Sequence, residues 1–309
     1  MNNRDCLLTN DVETMSIWFN SLRDETGWKV YREGMPLLLD VYAKYEIRST
    51  FYFTAYMARL IPEVVKMILK DGHEVASHGK SHRKENGFDV MPFDRQKAHL
   101  EESKKLLEDI SGQEVISFRA PALRANGDTV RALIETGFKI DSSVASQRFD
   151  FFLSFGGFNK LKWFFTPRLP YYTSPGSLYK KGDGPLVEVP LSALLLPYGS
   201  TTMRIFPWLS ACQRRGVHFE SSVINGKPVV FDIHPNEFID ESDEPRTIQN
   251  RSRNKMSYLM QDWLRAKLKT KNLGHRACGL YEREVSFFKE KDYNFTTVKE
   301  YCARKGFLQ

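Results

Sequence analysis

Short β-rich runs alternate with amphipathic helical stretches along this chain, and that alternation limits the fold more than any other feature of the sequence. The β-rich runs are Cys6 to Asn10, Ser49 to Tyr56, His73 to His78, Val115 to Pro121, Lys139 to Ala145, Leu186 to Ser192 and Val229 to Pro235. Between the early runs, apolar residues recur at helical spacing over Met35 to Tyr45, Ile61 to Lys70 and Phe93 to Ile110. This pattern predicts an α/β fold built on a parallel sheet or barrel. Gly72, between the second helical stretch and the next strand, is placed as a helix stop. A length of 309 residues would allow two domains, but α/β barrels reach this size as one unit. A single barrel over residues 1–309 is expected, with an aromatic-rich insertion and additional strand region at 147–228, before the last strand.

In an α/β barrel, reactive side chains sit at the C-terminal ends of the strands. Polar residues gather at those ends here: Asp11 and Glu13 after the first run, His78 and His82 after the third, and Arg119 in the fourth. Asp141 begins the exit of the fifth, and His234 closes the last. Singly, each reads as a capping or salt-bridging residue; together on one rim they read as a site. Within GHEVASHGKSH (Gly72 to His82) the two histidines lie four residues apart. That spacing puts both imidazoles on one side of a helical turn, where they can share one divalent metal. Two solvated histidines on a helix face would share it too, so the pair needs its neighbours to be read as a metal centre.

Composition narrows the partners. Apolar residues at 41% and charged residues at 27% are globular values and argue against a disordered or fibrous chain. The opening MNNRDCLLTND carries Asp5 and Asp11 where a signal peptide would be apolar, so a cytoplasmic location is expected. No apolar run approaches the ~20 residues of a membrane span. Cys6, Cys212, Cys278 and Cys302 include no CxxC pair, and reduced thiols are expected. A net charge of +7 and a pI near 9.1 favour anionic partners: nucleic acid, a phosphorylated substrate or an acidic membrane surface. No nucleic-acid motif appears, so nucleic acid ranks last. Two segments fit either a packed satellite core or contact with a bilayer. One is the aromatic, basic stretch 147–181, which includes Arg148, Lys160, Lys162, Arg168, Lys180 and Lys181. The other is 254–271, where Met256, Leu259, Met260, Trp263, Leu264 and Leu268 recur at helical spacing.

Five segments in order resemble the polysaccharide deacetylase (NodB-homology) family of metal-dependent amide and ester hydrolases. They are LTNDVET from Leu8, the stretch from Ser49 through GHEVASHGKSH, FRAPALR from Phe118, IDSSV from Ile140 and FDIHPNEF from Phe231. The resemblance covers most of the chain and implies a distorted (β/α)7 barrel. Carried over position by position, it makes His78 and His82 metal ligands, with a carboxylate of the first motif as the third. Most members have adjacent aspartates there, whereas this chain has Asp11, Val12, Glu13. Alternate residues of an extended strand end face one side, so both acids can reach the site. Asp11 is assigned as general base and Glu13 as ligand; exchanged roles, or Asp11 in both, stay open. The Asp-Val-Glu variant resembles the branch associated with cell-envelope and O-antigen sugar assembly.

The resemblance further implies that Arg119 pairs with Asp11 and keeps it ionised, and that His234 is the general acid. Asp141 would hydrogen-bond His234 and raise its pKa, with Asp232 as a competing partner. Ala122 stands where many members carry an aromatic residue, leaving its backbone N–H for an oxyanion. Glu188, Tyr198 and Arg204 are either structural or touch substrate. The implied activity is removal of an acetyl or formyl group from an N-acylated sugar, bound to nucleotide or polyprenyl phosphate. One divalent metal is implied: zinc suits two histidines and a carboxylate, and cobalt, nickel or manganese fit the same ligands. Peripheral contact with the inner face of the cytoplasmic membrane is expected alongside. The alternatives are a hydrolase of a small non-sugar amide or imide, and an inactive barrel scaffold.

Overall fold

The structure, a computed structural model, describes residues 4–146, 163, 165–246 and 263–308. Its centre is a ten-stranded sheet: β1 (Asp5–Val12), β2 (Thr50–Phe53), β3 (Glu74–Ser77), β4 (Ser117–Phe118), β5 (Ile140–Asp141), β6 (Tyr171–Ser174), β7 (Ser177–Lys181), β8 (Val187–Glu188), β9 (Val229–Ile233) and β10 (Asn294–Phe295). Seven of these run parallel in the order β9-β1-β2-β3-β4-β5-β8. The curl closes thinly. Ser192, just past β8, donates its N–H to Val230 O and accepts the Val230 N–H on its hydroxyl, both at 3.0 Å, and Gly199 bridges Asp232. The edge of β8 that would complete the seam pairs instead with β6 of the antiparallel β6–β7 hairpin. This is the distorted (β/α)7 barrel that the sequence resemblance implies.

Helices Met35–Tyr45, Glu63–Leu69 and Phe93–Ser111 stand where apolar periodicity predicts them. Gly72 takes φ +74° in the turn into β3, a conformation that glycine adopts without strain. All eight residues of β1 are buried, so its alternating faces must both be satisfied. Asn10 turns to the helix side: its amide donates to Ser49 Oγ at 3.0 Å and Thr50 O at 3.1 Å, and its Oδ1 accepts from Tyr42 OH at 2.6 Å. Left unpaired, such a buried amide would cost about 1–3 kcal/mol. Thr9 and Asp11 turn the other way, to Arg119.

Gly34 fixes how closely one helix approaches the end of β9. A Cβ there would lie 2.3 Å from Pro235 O, so only glycine lets the chain ahead of Met35–Tyr45 abut the turn after His234. Of the two segments read as bilayer candidates, Arg148, Lys160, Lys162, Met256, Leu259 and Met260 lie outside the described residues. Among the described residues, no helix is long and apolar enough to cross a membrane.

Candidate active site

The C-terminal ends of β1, β3, β4 and β9 share one rim, and Arg119, just past β4, joins them. Its guanidinium is fully buried and uses all five N–H donors. Nη1 donates to Asp11 Oδ1 at 2.8 Å and Asp232 Oδ1 at 2.6 Å; Nη2 donates to Thr9 Oγ1 and Ser142 Oγ, both at 3.0 Å; Nε donates to Ser142 O at 3.0 Å. Its plane lies over the Tyr52 ring, 4.3 Å from the centroid. Two carboxylates and this donor geometry offset the cost of burying the charge. Thr9, Tyr52 and Ser142 were not singled out from the sequence. Thr9 shares the face of Asp11 by the period of two, and Tyr52 stands opposite Asp11 in the β1–β2 register.

His78 and His82 do not lie on a helical turn, contrary to the expectation from their spacing. They flank a loop that leaves β3, in which Gly79 takes φ +64° and packs closely on Phe88 and Pro121. The imidazoles still converge, with Nε2 atoms 2.9 Å apart. His78 Nδ1 lies 2.8 Å from Arg119 O, which can only accept, so the proton is on Nδ1 and the Nε2 lone pair faces the site. Glu13 Oε2 lies 2.8 Å from His82 Nε2, yet this buried oxygen has no properly formed hydrogen bond. Asp11 Oδ2 is 3.5 Å from His78 Nε2 and 3.8 Å from His234 Nε2.

Two ligand-bearing groups result. Atoms of Glu13, His78 and His82 all lie within 4.8 Å of one another, as do those of Asp11, Asp232 and His234. The first fits a divalent cation: two imidazoles and a carboxylate, one oxygen orphaned and one histidine held in the ligating tautomer from behind. Asp11 belongs to the second, tied to Arg119.

Charge sets the protonation states. Burial alone would raise Asp11, but His78, Arg119 and His234 outweigh it and hold its carboxyl at about 2. Burial likewise opposes a lowered Glu13, whose pKa the neighbouring His82 brings below the ordinary range. Burial lowers His78 to about 4, so it is neutral at pH 7. His234 runs the other way: burial disfavours its cation, but Asp232 and Asp11, then Glu237 and Glu13, push it to about 9.

Asp141 is not the partner of His234. Its carboxylate accepts from Ser143 Oγ at 2.7 Å and Ser143 N at 3.3 Å and lies near Glu188, and burial raises both acids. Asp232 lies within 4.8 Å of His234 and Asp11 lies 3.8 Å from it, and these two carboxylates are the ones that raise it most. Of the three residues left between structure and substrate, Glu188 is buried against Asp141, Tyr198 donates to Glu284 Oε2 at 2.5 Å, and Arg204 pairs with buried Glu237 at 2.9 Å. All three are packed into the body of the protein.

A family model for polysaccharide deacetylase matches residues 16–140, which include His78, His82 and Arg119. A peptidoglycan deacetylase of Helicobacter pylori is 29% identical over 180 residues, 56% of this chain and 54% of that one. Over these segments the chain is similar to the polysaccharide deacetylase family. It spans about half the length of that relative. Among solved structures, a Pseudomonas aeruginosa protein classed with the polysaccharide deacetylases superposes with a TM-score of 0.61 at 16% identity, covering 100% of this chain and 94% of that one. The allantoinase PuuE superposes at 0.57 and 15% identity, covering 97% and 89%. At such identities the likeness is one of fold, and a polysaccharide deacetylase barrel does not by itself name a substrate. Asp11, Glu13, Asp232 and His234 lie outside the family-matched segment, and it is the geometry that joins them to it.

Proposed function

We propose that the chain removes an acetyl or formyl group from the nitrogen of an N-acylated sugar, with a divalent metal held by Glu13, His78 and His82. The observation that carries this reading is the convergence of two imidazole nitrogens on the orphaned, buried Glu13 Oε2. Zinc suits that donor set, and cobalt, nickel or manganese fit it too. When bound, the metal supplies Lewis acidity, polarising the acyl carbonyl and making water more acidic. Asp11, ionised and aimed by Arg119, takes the proton of the attacking water. His234, kept cationic by Asp232 and Asp11, gives its proton to the amide nitrogen as the carbon–nitrogen bond breaks. Ala122, at φ +54° in the left-handed region, is the backbone N–H assigned to the oxyanion. Asp141 acts at one remove. It holds Ser143, whose hydroxyl accepts the Ala120 N–H at 2.8 Å and so fixes the turn that carries Ala122.

The net charge of +7 supports an anionic substrate, a sugar on nucleotide or polyprenyl phosphate, used in cell-envelope or O-antigen glycan assembly at the cytoplasmic face of the membrane. Incubating the zinc-loaded protein with N-acetyl and N-formyl hexosamines, free and phosphate-linked, and measuring released acetate or formate tests this. Release from the linked sugars, lost in His234→Ala, is expected. No release from any sugar, or a preference for cyclic imides, contradicts it.

A further inference from the structure

The helix Pro207–Phe219 runs on through the wider turn Glu220–Ile224. Its inner face is buried through Ser210, Gln213 and Val217. Its outer face leaves large apolar side chains in water: Trp208 is 68% exposed, Phe219 55%, Val223 66% and Ile224 64%. Positions 208, 212, 215, 219 and 223 follow one another by three or four residues and form a single stripe. Leu195, 66% exposed, adds to it from the tip of the hairpin Ala193–Leu194/Leu196–Pro197. That hairpin is fastened along the helix by Gln213 Nε2, which donates to Leu194 O at 3.3 Å and Leu196 O at 2.8 Å. A soluble surface scatters such residues singly; a contiguous row marks a contact face.

Charge selects the contact. Arg215 is exposed on the stripe, while Arg214 turns inward to Arg283 O at 3.0 Å and buried Glu284 at 3.6 Å; Glu220, the only carboxylate in this helix and turn, is buried and bonded to Arg168 at 2.6 Å. An apolar row that carries the exposed cation of Arg215, with no exposed carboxylate on the element, matches the boundary between acyl chains and anionic headgroups.

We propose that this stripe docks the protein on a bilayer containing anionic phospholipid. The proposal rests on the surface and not on the metal or the sugar, so it stands or falls separately from the activity. The test is co-sedimentation of the full chain with vesicles of phosphatidylcholine and phosphatidylglycerol in equal parts, against phosphatidylcholine alone, at low and high salt. Binding to the anionic vesicles is expected to be at least about tenfold stronger and to weaken with salt. Trp208→Ser with Phe219→Ser should lower it about tenfold, and Arg215→Gln should flatten the salt dependence. Val223→Ser with Ile224→Ser is a second apolar variant should the first fail to fold. Absence of binding, binding indifferent to both apolar variants, or a stripe-dependent dimer without vesicles overturns the proposal.

Discussion

Arg119 is a fixed frame more than a mobile charge, because every donor it has is already directed to a protein group. A lysine could not reproduce that fork, so Arg119→Lys should lower kcat by at least about a hundredfold, measured as acyl release. The acid–base pair sets the pH profile. His234 must carry its proton to act as acid, and its pKa is pushed to about 9, so kcat/KM should fall as pH rises through that value. Asp232→Asn removes the largest of the charges that raise His234, and the alkaline limb should move to lower pH. An unmoved limb in that variant would assign the acid elsewhere. The sequence made Asp11, Glu13, His78, His82, Arg119 and His234 legible because each stands at or just past a strand end. It could not choose between Asp141 and Asp232: both are strand-end aspartates, and which one comes within 4.8 Å of His234 depends on how neighbouring strands are staggered.

Among the elements, the periodic helices and buried strands were legible from apolar spacing alone, whereas the loop between His78 and His82 was not. A spacing of four is helical only when the backbone is, and Gly79 at φ +64° breaks the turn while keeping the imidazoles together. Arg204 shows the same limit. Its place in the sequence left it between a structural and a substrate role; it holds Glu237 and the carbonyls of Lys269 and Lys271, the latter two at 2.8 Å, and so locks two segments to the turn after His234. Both members of the Arg204–Glu237 pair are 2% exposed, and removing one leaves a buried charge without its partner. Arg204→Ala should therefore cost about 3–5 kcal/mol of stability, read from denaturant unfolding. A loss under 1 kcal/mol would return Arg204 to the substrate side.

At the scale of the whole molecule, the seam between β8 and β9 was the least legible part of the fold, since it depends on the β6–β7 hairpin taking an edge that local sequence leaves open. The proposed ligands Glu13, His78 and His82 stand past the ends of β1 and β3, so bound metal should tie the barrel together. At a hundredfold excess over its dissociation constant, a cation bound only to the native state adds about 2.7 kcal/mol. That corresponds to a rise of roughly 5 °C in Tm for a chain of this size, checked by calorimetry with and without chelator. The central claim is that Glu13, not Asp11, completes the metal centre with His78 and His82. Elemental analysis of purified variants tests it most directly. One divalent ion per chain is predicted in the unmodified protein and in Asp11→Asn, with loss in His78→Ala and Glu13→Ala. Metal retained by Glu13→Ala but lost from Asp11→Asn would contradict it.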